Sequence, residues 1–600
     1  MSFRIVESAS GEKVPASVCE SVVAMRDGND LATSVYLPEG DGVHSTILVR
    51  TPYARLGRHA VLEREAEYFR GRGFAFVTQG LRDKRLSQDG VASYSQEVAD
   101  GYDTVEWITR QPWSNGSVGV TGSSCSGFTA WAAVASGHPA IKAAVPKSTS
   151  IDLGAGYAPK NRRQGVPVLA ALKDLLQFWS DPDGCVADAE QGAVSAADAS
   201  SETCEQIVES RSAKTRGRHS PYGYHHPLHA TAIPVLHWQY WYDRGFAPSG
   251  LRDWRHFRSL TSTRHLHYLR AGSADHAGFR LEDVDAEDEY ASHLNGRTLA
   301  EKIVMECEEV ADFFDEHLNG IAPRRPRPQA RWHVGHVGWQ SSHEYPPPST
   351  PLTFHLEALL GERVHRLSRI PAADPVALSW IHDPGDPVPS SVGIESIWYL
   401  LADYPDERAL QDRTDVLTFR TGPLSESVDF AGQPLFHGRV DLPSGSAHLH
   451  LKLQDVHPDG TTRPISWGHT AITRAAGRSV TLPLTDNAYR LQPGHRLQLQ
   501  IQSSDFPHFG VYPGARANPR TAAKRKAIRQ VLTVGGIHGA SLTLPAVRLV
   551  QDSLPARVLT DTVRAPHLTT APAGSWPPCP PAGNLPARHR KTTADDFQDH

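Results

Sequence analysis

The 600-residue chain is poor in cysteine, in methionine and in unbroken apolar sequence. Its six cysteines, Cys19, Cys125, Cys185, Cys204, Cys307 and Cys579, are dispersed without a CxxC pair. Such spacing suggests neither a disulfide framework nor a zinc knuckle and fits a reducing cytoplasm. Nowhere do 18 apolar residues occur together, and the N-terminus lacks a basic segment followed by an apolar run. Neither a membrane span nor a secretory leader is therefore expected. Charge of one sign is also scarce: 61 basic against 66 acidic residues give a formal net charge of −5. Spread over this length, that field is too weak to imply nucleic acid or an acidic membrane. A small molecule or short peptide is the expected partner, and oligomeric state is left open, a homo-oligomer among the alternatives.

Histidine is abundant, at 31 residues. The local pairs His225-His226, His265-x-His267, His333-x-x-His336 and His448-x-His450 lack HExxH-like helical spacing with a nearby carboxylate, so no catalytic metal is expected.

Short β-rich runs bounded by Gly, Pro and Asp alternate with helical patterns through the first 151 residues. Leu31–Leu37, Ser45–Arg50, Gly73–Thr78, Val118–Thr121 and Ile141–Val145 read as strands; Ala60–Arg70, Glu97–Arg110 and Phe128–Ser136 read as helices. This alternation indicates a mainly parallel sheet covered on both faces. Residues 152–225 are polar and helical in places, and read as a cap. The alternation returns over 226–325, with a strand at Pro234–Trp241, a helix at Gly250–Leu260, a strand at His265–Ala271 and a long amphipathic helix at Glu301–Asn319. After the proline and arginine linker APRRPRPQ (Ala322–Gln329), residues 326–555 are nearly all short strands, as in a β-sandwich or jelly roll. The proline-rich tail, 556–600, is expected to be disordered.

The sharpest local feature is Val118–Phe128, VGVTGSSCSGF, a strand passing through small residues into a helix. A nucleophile elbow needs this context, because its strained turn tolerates only small neighbours. Two registers fit: Ser124 between Gly122 and Ser126, or Cys125 between Ser123 and Gly127. A plain turn packing helix on strand fits as well. Asp243 and His276 follow strands in the order acid then His that this fold requires, although a turn-capping Asp and a loop His would look the same.

RTPYAR (Arg50–Arg55), ADGYDTVEWITRQPWSNGSVGVTGSSCSGFTAW (Ala99–Trp131), SGHPAIKAAVP (Ser136–Pro146), WYDRG (Trp241–Gly245) and the His276-Ala277-Gly278 stretch resemble the cocaine esterase and X-prolyl dipeptidyl-peptidase group of acyl hydrolases, often labelled CocE/NonD. DVLTFRTGPL (Asp415–Leu424), LQDVHPDGTTRPISWG (Leu453–Gly468) and QSSDFPHFG (Gln502–Gly510) resemble that family's jelly-roll signatures. The resemblance spans about Val22 to Val550 and implies an α/β-hydrolase core with a helical cap insertion, followed by an all-β jelly-roll domain. It selects Ser124 as nucleophile, with Asp243 and His276 completing the triad. It assigns the oxyanion hole to the Cys125 amide and the Tyr53 phenol, and needs no cofactor. Two departures stand out. Gln79–Ser87 (QGLRDKRLS) loses the Asp and glycines of the family's QDxRGxGxS-like stretch, and Cys125 replaces the usual aromatic residue. The implied activity is cleavage of an ester or amide through an acyl-enzyme. An acyltransferase with the same triad, a cysteine hydrolase using Cys125 and an inactive jelly-roll binding protein are the alternatives.

Overall fold

A computed structural model describes residues 18–52, 61–82, 94–151, 232–276, 278, 296–390, 406–442, 446–473, 479–506, 509, 511–512, 514 and 526–549. The 152–225 cap, the 556–600 tail, Tyr53 and most of Gln79–Ser87 lie outside them.

Ten strands form the first sheet: β1 (Val18–Ala24), β2 (Asp30–Tyr36), β3 (His44–Thr51), β4 (Ala75–Gly80), β5 (Ser114–Ser123), β6 (Ile141–Lys147), β7 (Val235–Tyr240), β8 (His267–Gly272), β9 (Ala330–Val334) and β10 (Gly338–Ser342). Their order is β1-β2-β4-β3-β5-β6-β7-β8-β9-β10. Neighbours from β4 to β9 run parallel. The central strands β4 (AFVTQG) and β7 (VLHWQY) are buried along almost their whole length, as continuous apolar runs require when helices cover both faces.

Five described helices do the covering: α1 (Val61–Gly71), α2 (Tyr94–Thr109), α3 (Cys125–Ala135), α4 (Ala247–Ser259) and α5 (Gly296–Leu318). Val105 and Ile108 of α2, Trp131 of α3 and Phe257 of α4 share one core with the sheet, whereas Phe69 of α1 and Ile303, Val310 and Phe314 of α5 share another. Gly119 of β5 permits that second layer, since a Cβ there would lie 2.7 Å from the Phe314 ring.

Strands β11 (Thr350–Glu357) to β23 (Ser541–Ala546) build the all-β jelly roll around its own core, which includes Phe419, Phe436, Leu451, Leu499 and Leu542. β9 and β10 lie beyond the proline and arginine linker yet pair onto the first sheet, β9 through Leu269 opposite Ala330. A hairpin with no helix between its strands looks in sequence like sandwich strands, so the step from one sheet to the other comes later than residue 326.

The two bodies share a core. Trp241, Tyr242 and Trp254 pack with Trp332, Tyr345, Ala431, Trp467 and Ala488, and Gly335 bridges to Tyr489. Cys125 and Cys307 are free thiols, but Cys19 is disulfide-bonded. Among the described residues no helix is long and apolar enough to cross a membrane.

Candidate active site

Because β5, β7 and β8 are parallel members of one sheet, their C-terminal ends share one edge, the side on which open α/β sheets carry their ligands. Ser124 follows β5, Asp243 follows β7 and His276 follows β8.

Ser124 joins β5 to α3 with φ 59° and ψ −121°, a backbone region that L-residues enter only at a cost. Its N–H donates to the Lys147 carbonyl at 3.0 Å, and its carbonyl accepts the Phe128 N–H at 3.0 Å. Small flanks are demanded by contact: a Cβ on Gly122 would lie 2.5 Å from the Ser126 carbonyl oxygen, and one on Gly127 would lie 2.9 Å from the carbonyls of Gly122 and Lys147. The strained position of the turn is thus Ser124. Cys125 is the first residue of α3, and its amide stands at the helix end where the macrodipole favours negative charge.

His276 Nδ1 lies 2.8 Å from Asp243 Oδ2. The other carboxylate oxygen accepts the Phe246 N–H at 3.1 Å, and the imidazole stacks on the Phe246 ring with centroids 5.2 Å apart. A carboxylate facing Nδ1 makes that nitrogen the donor and leaves Nε2 with the lone pair. Burial disfavours the imidazolium, but the Asp243 carboxylate, with Asp275 adding to it, outweighs burial and raises the His276 pKa above its ordinary value.

Beneath this edge lies a charged cluster that the sequence did not announce. Lys147, whose carbonyl holds Ser124, places Nζ 2.8 Å from Glu306 Oε2. Glu306 Oε1 accepts the Tyr240 hydroxyl at 2.8 Å and lies 3.2 Å from Lys302 Nζ. A Cβ on Gly278, two residues after His276, would come 2.7 Å from Glu306 Oε1, so the histidine loop rests on the same carboxylate. Burial opposes both charges, yet the pairing holds the Glu306 carboxyl well below and the Lys147 ammonium above their usual ranges. The available signal was an acid on the buried face of α5, three residues from Ile303 and four from Val310.

Glu306→Ala would strand the Lys147 ammonium with Glu65, 3.9 Å away, as its remaining carboxylate. A stability loss of about 3 kcal/mol or more is expected in urea unfolding, because an uncompensated buried charge is left behind. A loss below about 1 kcal/mol would mean that Glu65 takes over the pairing.

On the other flank, Thr129 of α3 donates to the Arg50 carbonyl at 2.6 Å and Ser126 donates to Thr51 Oγ1 at 3.0 Å. The Arg50 guanidinium is buried against Glu97 at 2.9 Å and Gln79 at 2.8 Å. The end of β3, which leads into Pro52-Tyr53, is therefore fixed to the helix that begins at Cys125.

Two family models match in register along the chain: the X-Pro dipeptidyl-peptidase (S15 family) model over residues 27–278, and the X-Pro dipeptidyl-peptidase C-terminal non-catalytic domain over residues 319–542. The chain belongs to the CocE/NonD, X-Pro dipeptidyl-peptidase-like hydrolases. This CocE/NonD hydrolase is 27% identical over 587 residues to the cocaine esterase of Rhodococcus sp. (strain MB1 Bresler), with 89% of the chain and 99% of that enzyme covered. Its fold is similar to an α-amino acid ester hydrolase, with a TM-score of 0.71, 23% identity and 91% of this chain and 100% of that one covered. It is also similar to an aminopeptidase from a marine sediment archaeon (Thaumarchaeota archaeon), with a TM-score of 0.64, 20% identity and the same coverage of 91% and 100%. The CocE/NonD chain is a serine hydrolase, with an α/β-hydrolase body and an all-β C-terminal domain.

Proposed function

We propose that the protein cleaves an ester or amide of a small molecule or short peptide through an acyl-enzyme on Ser124. His276, oriented by Asp243, takes the Ser124 proton as the oxygen attacks the acyl carbonyl. The Cys125 amide and the Tyr53 phenol hold the oxyanion, and a water activated by the same imidazole releases the acid. The observation that carries this reading is the strained backbone at Ser124, φ 59° in a turn between a parallel strand and a helix. Strain of that kind persists where the surroundings enforce it and is a mark of functional sites. The hydrogen-bonded His276–Asp243 pair at the same sheet edge adds to it. The small-ester or peptide substrate class is supported by relatives described as cocaine esterase and α-amino acid ester hydrolase.

Labelling with a fluorophosphonate followed by peptide mapping tests the proposal. A single adduct on Ser124 is expected; an adduct on Cys125, or none, overturns it. Tyr53→Phe tests the oxyanion assignment separately, because it keeps the ring and removes only the hydroxyl. With an activated ester, kcat is expected to fall by about 10² while KM changes little. Turnover within about threefold of the parent, with chemistry rate-limiting, would leave the oxyanion to backbone amides.

A further inference from the structure

Three side chains on the jelly roll converge from two adjacent strand ends. Asp455 is the penultimate residue of β17 (Ser446–Val456), His457 follows in the turn to β18 (Thr462–Thr473), and His495 precedes β21 (Arg496–Gln502). β17 and β21 pair antiparallel with Val456 opposite Arg496, so the pairing itself brings the three together. Asp455 is fully buried, and the two imidazoles are partly open to solvent. His495 Nδ1 lies 2.9 Å from Asp455 Oδ1, and His457 Nε2 lies 3.7 Å from Asp455 Oδ2. One donor atom from each residue lies within 4.8 Å of the other two.

A hydrogen bond accounts for His495 facing the carboxylate. It does not account for His457, since 3.7 Å is too long for one. Zinc held by imidazole nitrogen and carboxylate oxygen at about 2.0–2.1 Å keeps its tetrahedral ligand atoms roughly 3.4 Å apart. Asp455 Oδ2, 3.0 Å from His495 Nδ1 and 3.7 Å from His457 Nε2, has separations on either side of that spacing.

The backbone at both histidines is already fixed. His457 donates its N–H to the Thr461 carbonyl at 2.8 Å, and the His495 carbonyl accepts the Leu424 N–H at 2.8 Å. The carboxylate also has the outer partner that metal-binding carboxylates usually have. The Tyr489 hydroxyl donates to Asp455 Oδ2 at 2.9 Å, and His336 Nε2 lies 2.8 Å behind that hydroxyl.

We propose that Asp455, His457 and His495 form a binding site for a divalent first-row transition ion, Zn²⁺ by preference, with water completing the coordination. Two imidazoles and one carboxylate suit zinc; a calcium site would need six or more oxygen ligands and a soft-metal site would need thiolates. To ligate the ion, His495 Nδ1 gives up its proton, which its own Nε2 can carry. The ion would tie the β17–β18 turn to the start of β21. Through Tyr489 and His336 it would also stiffen the β9–β10 turn, where the first sheet meets the jelly roll.

The test uses the full chain without a histidine tag, stripped with EDTA and dialysed. Calorimetric titration with ZnCl₂ is expected to show one equivalent bound with a micromolar or tighter Kd, and the thermal midpoint should rise. Cobalt(II) in its place should give visible ligand-field bands. His457→Ala removes a turn side chain that makes no hydrogen bond among the described residues, and is expected to weaken Zn²⁺ binding at least 100-fold. Tyr489→Phe should weaken it by about 10- to 100-fold, and His538→Ala, at an exposed histidine elsewhere, should leave it unchanged. No stoichiometric Zn²⁺ heat in the parent, or equal affinity in both His457→Ala and Tyr489→Phe, would overturn the proposal.

Discussion

Ser124→Ala is expected to abolish acyl-enzyme formation from an activated ester, with turnover falling by about 10⁶, while Cys125→Ala retains most of the activity. The sequence offered two registers for the nucleophile, and the chemistry alone would favour the thiol. Backbone geometry argues the other way. The positive φ belongs to Ser124, and the tighter of the two contacts that forbid a Cβ falls at Gly122, the flank two residues before it. Cys125 already lies in α3, and the amide proposed as its contribution to the reaction is one that alanine also supplies. Stopped-flow bursts with an activated ester distinguish the two variants directly. A dead Cys125→Ala beside a live Ser124→Ala would transfer the nucleophile to the thiol.

Asp243→Asn should lower kcat by about 10⁴ with little loss of stability. Asp243 accepts from His276 through one oxygen and from the Phe246 amide through the other. An asparagine satisfies one of these only by presenting its NH₂ to the other. If the carboxamide oxygen keeps the Phe246 N–H, its NH₂ faces Nδ1 and drives the imidazole into the tautomer whose Nε2 cannot accept the serine proton. The pH profile carries an independent signature. Asp243 is the leading influence holding the His276 pKa above its ordinary 6.5, against burial. The imidazolium is inactive as a base, so kcat/KM in the parent should rise with pH through a limb centred above 6.5. Without the carboxylate charge, burial dominates and the limb of the residual activity should move to lower pH. Normal turnover in the variant, or an unmoved limb, would show that another carboxylate serves His276.

The parallel sheet was legible because β-rich runs and helical periodicity alternate at a spacing that only crossover connections provide. β3, β4, β6 and β7 accordingly fall close to their expected positions. The elbow was legible because steric demand writes itself as small residues in a row, although the sequence alone could not decide between Ser124 and Cys125. Asp243 and His276 stood out through their order and through family resemblance, since a single Asp or His at a strand end looks ordinary. Long-range electrostatics left far less trace. Lys147 and Glu306 are 159 residues apart, and each reads locally as a strand-end lysine or a helix glutamate. The Asp455, His457 and His495 cluster escaped for the same reason, because its histidines meet by strand pairing and not by proximity in sequence. β9 and β10 were assigned to the wrong neighbourhood by pattern, since strand periodicity records burial on a face and not which sheet supplies the partner.

The residue after Asp243 extends into the other body. The Arg244 guanidinium lies 4.0 Å over the Trp467 ring and 3.7 Å from Asp505, which in turn pairs with Lys452 at 2.9 Å. A hydrolase body cut free after β10 would lose that indole and that carboxylate together. The jelly roll thus anchors the residue next to Asp243 as well as covering the aromatic side chains around it, and truncation would loosen the backbone beside the acid together with exposing buried surface.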